Sequence, residues 1–160
     1  MKKDKSLFLN KSKSDSRVLI NVTLLGICFT LFTLIITIKP ELLQKNLNLT
    51  LQLVSAIPLF MASSFARSKL GYTKDANKWN NFGFTTFLIA YSFLINVVGI
   101  LLISLTSILV GLIYFSVNIA TSIGYSMTDI AYDRKRLTER IVKDLAFILI
   151  IIFLGILPNF

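Results

Sequence analysis

Five apolar stretches separated by short polar segments organise this sequence. They cover residues 18–38, 48–66, 82–104, 107–127 and 145–160. About 20 helical residues span the hydrocarbon core of a bilayer, which is about 30 Å thick, so stretches of this length and composition predict transmembrane helices. We therefore predict an all-α polytopic integral membrane protein, a five-helix transmembrane bundle. Residues 1–17 are expected to form a basic cytoplasmic tail, and residues 18–160 a single transmembrane domain.

A charge-free run over residues 79–128 predicts a tight helical hairpin at the centre of the bundle. As one helix this run would extend about 75 Å, far beyond the hydrocarbon core, so the chain must fold back within it. The segment 104–107, Ser-Leu-Thr-Ser, is the most polar point near the middle of the run. We place the turn there.

Counting outward from this turn predicts which residues of the hairpin lie at the same depth. Gly99 and Gly111 are almost equally far from the turn, and so are Ser92 and Asn118. Two glycines at one depth let helix backbones approach closely, so Gly99 and Gly111 are expected to face each other. Ser92 and Asn118 are expected to form a hydrogen bond, because an unpaired amide is unfavourable in lipid.

Two of the predicted spans have a weaker signal. The second, 48–66, is diluted by Gln52, Ser55, Pro58, Ser63 and Ser64. We assign it as a span because otherwise the basic segment that follows it would lie on the outer side of the membrane; Pro58 should kink it. The last stretch, 145–160, reaches only about 24 Å as a helix, so an interfacial or re-entrant placement remains an alternative to a short fifth crossing.

Composition and charge support membrane insertion and indicate an orientation. Hydrophobic residues make up 54% of the 160 residues and the mean hydropathy is +0.72, more than a soluble domain of this size can bury. The 17 Lys and Arg residues fall mainly in segments 1–17, 67–78 and 134–143, which alternate with the spans. Basic loops stay cytoplasmic, which predicts a cytoplasmic N-terminus and an outer C-terminus in the cell membrane. Anionic lipid headgroups suit these cations better than nucleic acid, because no separate domain contains them.

Missing residue types restrict the chemistry of the chain. It has no histidine, which excludes imidazole ligands for haem, copper or zinc and catalysis by Ser-His or Cys-His pairs. The single cysteine, Cys28, has no disulfide partner and is expected to be a buried, inert thiol. No charged residue lies within a predicted span, so a proton relay has no titratable group. We expect no cofactor and no metal, and the sequence argues against an enzyme more than for one.

Small and polar residues recur three or four positions apart in four spans, which places them on one face of each helix. In the first span this seam, here called the α1 seam, consists of Thr23, Gly26, Thr30, Thr33 and Thr37. The seams of the later spans include Gln52; Ser92, Asn96 and Gly99; and Gly111 and Asn118. Such seams favour close helix packing with hydrogen bonds between helices. Alternatively they converge on a wet pathway for a neutral solute, with Gln52, Asn96 and Asn118 as its determinants.

Asp129 and Asp133 are the one acidic pair at helical spacing and follow the fourth span. Carboxylates one turn apart can hold a divalent ion for phosphoryl chemistry, which makes a lipid-headgroup enzyme an alternative. Ion pairs along a solvated helix explain these charges more simply. The pairs at suitable spacing are Asp133 with Arg136, Lys135 with Glu139, Glu139 with Lys143, and Arg140 with Asp144.

Three functions are compatible with these features. The leading hypothesis is a non-enzymatic membrane protein that acts through helix contacts, either as an accessory subunit or as a self-associating assembly. The second is a small permease or pore for an uncharged solute, and the third is the lipid-headgroup enzyme using Asp129 and Asp133. The expected partners are the lipid bilayer with its anionic headgroups and either another membrane protein or a second copy.

Overall fold

Helix accounts for nearly all of the structure, a computed structural model that describes residues 2–70, 76–132 and 137–159, and no strand occurs in these ranges. The helices are α1 Lys2–Ile38, α2 Glu41–Lys45, α3 Leu47–Lys69, α4 Ala76–Leu105, α5 Ile108–Tyr132 and α6 Leu137–Ile150. After α6 the helix continues as a π-helical stretch, Ile151–Ile156, and a 3₁₀ turn, Leu157–Asn159. The predicted all-α class is confirmed.

Five helical segments are long and apolar enough to cross a membrane. They are Ser14–Ile38, Leu47–Lys69, Ala76–Leu105, Ile108–Ala131 and Arg140–Asn159. This confirms the five-helix membrane bundle. The last segment has 20 residues, about 30 Å at the rise of an α-helix, because it begins among the charged residues before position 145. It is therefore long enough for a full crossing.

The first helix begins earlier than its apolar stretch. The segment expected to be a tail is helical from Lys2 onward, since no proline interrupts it before Pro40. Its described side chains begin at Ser14, whose hydroxyl donates to the Arg67 carbonyl oxygen at 2.5 Å. Pro40 follows the end of α1, as expected for a helix stop. The proline expected to kink the second span, Pro58, lies inside the continuous helix α3.

The predicted hairpin joins α4 to α5 through a two-residue turn. Helix α4 ends at Leu105 and α5 begins at Ile108. Both the backbone N–H and the hydroxyl of Thr106 donate to the Leu102 carbonyl oxygen, at 2.9 and 2.6 Å. Ser107 then accepts the Val110 N–H at the start of α5. Polar residues at the turn satisfy helix-end groups that a buried apolar turn would leave unpaired, which explains why the chain reverses there.

Helix α4 lies at the centre of the bundle. Half of its most apolar window is buried, compared with 17% for α1 and 11% for α5. On one side it packs with α1 and α3 around Phe60, Val97 and Ile100, a cluster that also buries Cys28 as expected. On the other side it packs with α5 and the last helix. The outer faces of α1 and α5 remain uncovered.

Three arginines from three helices gather at one end of the bundle, here called the basic end. Arg17 of α1, Arg67 of α3 and Arg140 of α6 line the same cavity. Lys39 and Lys45 lie beyond the opposite end of α1, beside the start of α3. Because successive long helices run in opposite directions, basic residues that are far apart in the sequence lie at the same end of the bundle.

Candidate functional site

A cluster of amide side chains joins the first turns of α3 to α4 and to the last helix. Asn96 is fully buried and its Nδ2 donates to Gln52 Oε1 at 2.7 Å and to the Ile150 carbonyl oxygen at 3.2 Å. Gln52 Nε2 donates to Asn48 Oδ1 at 3.0 Å and to the Leu154 carbonyl oxygen at 2.9 Å. Two of the predicted pathway residues, Gln52 and Asn96, are thus brought together.

The π-helical stretch of the last helix lies against this amide cluster. The Leu157 N–H bonds the Ile152 carbonyl oxygen five residues earlier, which widens the turn around Gly155. Asn96 Oδ1 is aimed at Gly155 and has no hydrogen-bond partner among the described residues. A Cβ at position 155 would collide with this oxygen and would lie 3.1 Å from the Phe115 ring. Only glycine fits this position without displacement.

The amide cluster is suited to joining helices rather than to chemistry. Its side chains are neutral amides, which do not titrate, so they cannot act as a general acid or base. Gln52 is 3% exposed and Asn96 is 0% exposed, and the two are bonded to each other. Hydrogen bonds between membrane helices contribute about 0.6–1.7 kcal/mol each. The cluster therefore stabilises the contact of three spans.

The central hairpin brings its two glycines together as predicted. A Cβ on Gly111 would lie 3.2 Å from the Gly99 carbonyl oxygen and would collide with Ile103. A Cβ on Gly99 would collide with the buried ring of Phe115. Both glycines are buried, and they permit the close approach of α4 and α5.

The expected hydrogen bond between Ser92 and Asn118 does not form. Ser92 is fully buried and its hydroxyl donates to the Leu88 carbonyl oxygen of its own helix at 2.8 Å. Asn118 Nδ2 likewise donates within α5, to the Tyr114 carbonyl oxygen at 2.9 Å. Asn118 lines a different cavity from the amide cluster. The three proposed pathway determinants Gln52, Asn96 and Asn118 therefore do not meet in one place.

The α1 seam lies on the outside of the bundle. Thr30 and the other four seam residues are exposed, and no atom lies within 4 Å of the position that a Cβ on Gly26 would occupy. The hydroxyls of Thr23, Thr30 and Thr37 donate to backbone carbonyls four residues earlier, at 2.8–3.0 Å. The sequence correctly groups these residues on one face, but that face packs against nothing within the described residues.

A groove runs between α1 and α5 at the basic end, with α4 as its floor. It consists of two adjoining cavities of about 380 and 520 Å³ that share the side chains of Phe84, Phe87, Tyr125 and Arg140. The first cavity is also lined by Arg17 and Arg67. The second extends towards Tyr91 and Phe147. The groove thus combines a cationic end with an aromatic interior.

Asp129 forms an ion pair across two helices instead of within one. Its Oδ2 lies 2.6 Å from Arg140 Nε, and both side chains are more than three-quarters buried. Asp144, the expected partner of Arg140, instead accepts a hydrogen bond from Ser122 at 3.2 Å. Asp133 lies outside the described residues. Within the described ranges, no group of three or more acidic, cysteine or histidine side chains could hold a metal ion.

Residues that sequence reasoning did not select join α1, α3 and α4. Asn21 is 2% exposed and its Nδ2 donates to Ser63 Oγ at 2.8 Å, while Ser63 donates to the Gly83 carbonyl oxygen at 2.6 Å. A Cβ on Gly83 would lie 3.0 Å from Ala66 Cβ, so the two helices approach closely there. An isolated amide inside an apolar run, as at position 21, is the signal that would have indicated a buried partner.

Fold and site together define the class of the protein, an all-α membrane-spanning bundle in which a few buried amides and hydroxyls join neighbouring helices. Comparisons of the chain with protein-family models, with curated proteins and with solved structures find no match. Functional inference therefore depends on the geometry of the chain itself.

Proposed function

We propose that this protein is a non-enzymatic membrane protein that acts by self-association, with the α1 seam as the contact between two copies. The observation that supports this most directly is the exposed Gly26, which has open space where the buried glycines Gly99 and Gly111 have neighbours. Small residues in transmembrane helices favour close helix packing. At the α1 seam none of the described helices supplies that packing.

Hydrogen bonds within α1 make most threonines of the seam suitable for burial in a helix contact. The hydroxyls of Thr23, Thr30 and Thr37 are already bonded to carbonyls of α1, so their burial in a contact would leave none of these three donors unpaired. Thr30 and Thr33 line a surface groove between the larger side chains of Phe29 and Leu34. A second helix can enter such a groove because the small threonine side chains leave room beside the backbone of α1.

A second copy of this chain is the partner that the seam fits. Residues 18–38 are uncharged, so two identical helices meet without repulsion between like charges. A two-fold symmetric contact places the same patch on both sides, which suits a seam of small residues along its whole length. No charge on this face would select a different membrane protein by electrostatic complementarity.

We expect Gly26→Leu to weaken self-association by about tenfold, because a bulky side chain overpacks the proposed contact. The matched control is Gly124→Leu in α5, which is also exposed and also has nothing within 4 Å of its Cβ position. Both substitutions should leave the monomer folded. The measurement is the number of photobleaching steps per labelled full-length protein in liposomes, over a series of protein-to-lipid ratios.

Wild-type protein and Gly124→Leu should show two-step bleaching at ratios where Gly26→Leu shows single steps. Wild-type protein that remains monomeric at every ratio would contradict self-association, and would direct attention to a different membrane protein as the partner. Equal dimerisation of Gly26→Leu and wild type would exclude the α1 seam as the contact.

The proposed location is the cell membrane, with a cytoplasmic N-terminus and an outer C-terminus. The basic end contains Arg17, Arg67 and Arg140, and basic segments remain on the cytoplasmic side during insertion. Reporter fusions after residues 78 and 143 should therefore be cytoplasmic, and fusions at Lys45 and Phe160 should be outside. A reporter that is translocated when fused at residue 78 would reverse the proposed orientation.

A further inference from the structure

The groove at the basic end contains two arginines that converge on one neutral atom. Arg17 Nη1 lies 3.1 Å from Asn80 Oδ1, and Arg67 Nη1 donates to the same oxygen. Arg67 is 5% exposed. Among the described residues no carboxylate forms an ion pair with either guanidinium. Two like charges held together, one of them on a buried side chain, are unfavourable unless an anion lies beside them.

Two further cations border the same groove. Arg140 lines both of its cavities, although Asp129 pairs with it. Lys143 Nζ lies 3.9 Å from the centre of the Phe84 ring, also on the wall of the groove. Among the described lining residues Asp144 is the one carboxylate, and together with Asp129 it balances at most two of the three arginines, whatever partner Lys143 has. Positive charge is therefore in excess.

The rest of the groove is lined mainly by apolar and aromatic side chains, with the polar residues Asn118, Thr121, Ser122 and Ser126 along its α5 wall. Phe87 and Tyr91 are stacked at 5.7 Å, and Tyr91 is stacked on Phe147 at 6.2 Å. Leu24 of α1 closes the opposite side. This aromatic cavity adjoins the cavity that Arg17 and Arg67 line, because Phe84 and Phe87 belong to the walls of both. A ligand that fills the groove must be anionic at one end and hydrocarbon at the other.

We propose that this groove binds an anionic glycerophospholipid. The phosphate lies against Arg17 and Arg67, and bidentate guanidinium contacts to its oxygens balance the excess positive charge. An acyl chain lies along Phe87 and Tyr91. The basic end lies at the level of the lipid headgroups. A lipid can therefore move sideways from the bilayer into the groove while its headgroup stays at that level.

The lipid site and the α1 seam are on different faces of α1. The groove uses Arg17, Ile20, Asn21 and Leu24, which recur at intervals of one helical turn. Gly26 and the threonines of the seam lie on the opposite side of the helix, because 100° separates successive residues. A bound lipid therefore leaves the seam free, and the two proposals can be tested separately.

The test uses the full-length protein in a non-ionic detergent, with lipid binding measured by native mass spectrometry. Phosphatidylglycerol should bind at least about fivefold more tightly than phosphatidylcholine with the same acyl chains. Arg17→Gln should weaken phosphatidylglycerol binding by about fivefold, since one basic residue is removed from the phosphate contact. Arg17 is exposed, so this variant should fold. Arg67→Gln should have a larger effect if it also folds.

The matched control is Lys39→Gln, which removes one exposed positive charge at the opposite end of α1. It should change the affinity less than twofold, which separates a defined site from general attraction to a basic protein. Equal effects of Arg17→Gln and Lys39→Gln would overturn the site. Equal binding of phosphatidylcholine would overturn the requirement for an anionic lipid.

Soluble competitors identify the source of the phosphate. Inorganic phosphate and glycerophosphoglycerol, which lacks acyl chains, should fail to displace phosphatidylglycerol at tenfold molar excess. Displacement by either would show that the arginines bind a soluble phosphate compound, and would overturn the lipid proposal.

Discussion

Gly99→Leu is expected to lower the free energy of unfolding of the bundle by about 3 kcal/mol or more, the largest effect of any single substitution proposed for this chain. The added side chain would enter the space filled by the ring of Phe115, which is fully buried, so the ring could move only by displacing its neighbours. The substitution would therefore separate α4 from α5 along the hairpin. Unfolding with a denaturing detergent, followed by helical circular dichroism, measures the change.

Gly124→Leu is the control for this substitution, because it adds the same side chain at a glycine with open space around it. Its unfolding free energy should stay within about 0.5 kcal/mol of wild type. Leu101→Ala should destabilise the bundle less than Gly99→Leu does. If Gly99→Leu were as stable as Gly124→Leu, the close packing of α4 against α5 at this depth would be refuted.

The second large effect is expected at the buried amide pair. Gln52→Met or Asn96→Leu alone should each destabilise the bundle by about 1–3 kcal/mol, since each leaves buried polar groups of its partner without a hydrogen bond. The double variant should be little worse than either single variant, because it removes both polar partners at once. A double-mutant cycle of unfolding free energies measures this coupling.

Asn118→Leu serves as the control for the amide pair. Its amide donates to the carbonyl of Tyr114 in the same helix, so its loss should change the unfolding free energy by less than about 0.5 kcal/mol. Strictly additive effects of Gln52→Met and Asn96→Leu would mean that the two amides do not stabilise the bundle through each other.

The number of spans and the depth of the hairpin residues could be predicted from the sequence, whereas the direction in which a seam faces could not. A charge-free run too long for one crossing determined the hairpin, and equal distance from its turn determined the meeting of Gly99 with Gly111. The same count failed for Ser92 and Asn118 because depth does not define rotation about the helix axis. Ser92 and Asn118 each donate a hydrogen bond to the backbone carbonyl oxygen one turn earlier in the same helix.

The α1 seam and the arginine cluster show the same limit. Periodicity grouped the threonines on one face, but it could not indicate whether a neighbouring helix would cover that face. Charge patterning brought Arg17 and Arg67 to one end of the bundle, yet their convergence on Asn80 depends on the packing of three helices. A pairwise contact of this kind has no periodic signal in a single sequence.

The π-helical stretch makes the last helix sensitive to its length and not only to its composition. A π turn contains one more residue than an α turn, so deleting Ile152 would allow an ordinary α-helix to form from the same residue types. Because the deleted residue would be the additional one of the π turn, the residues after it would keep nearly their present rotation, but the wide turn that sets Gly155 against the Asn96 amide would be lost. The contact between Gly155 and Asn96 therefore depends on one additional residue in this turn, and related chains that conserve the amide cluster should keep the spacing of this segment unchanged.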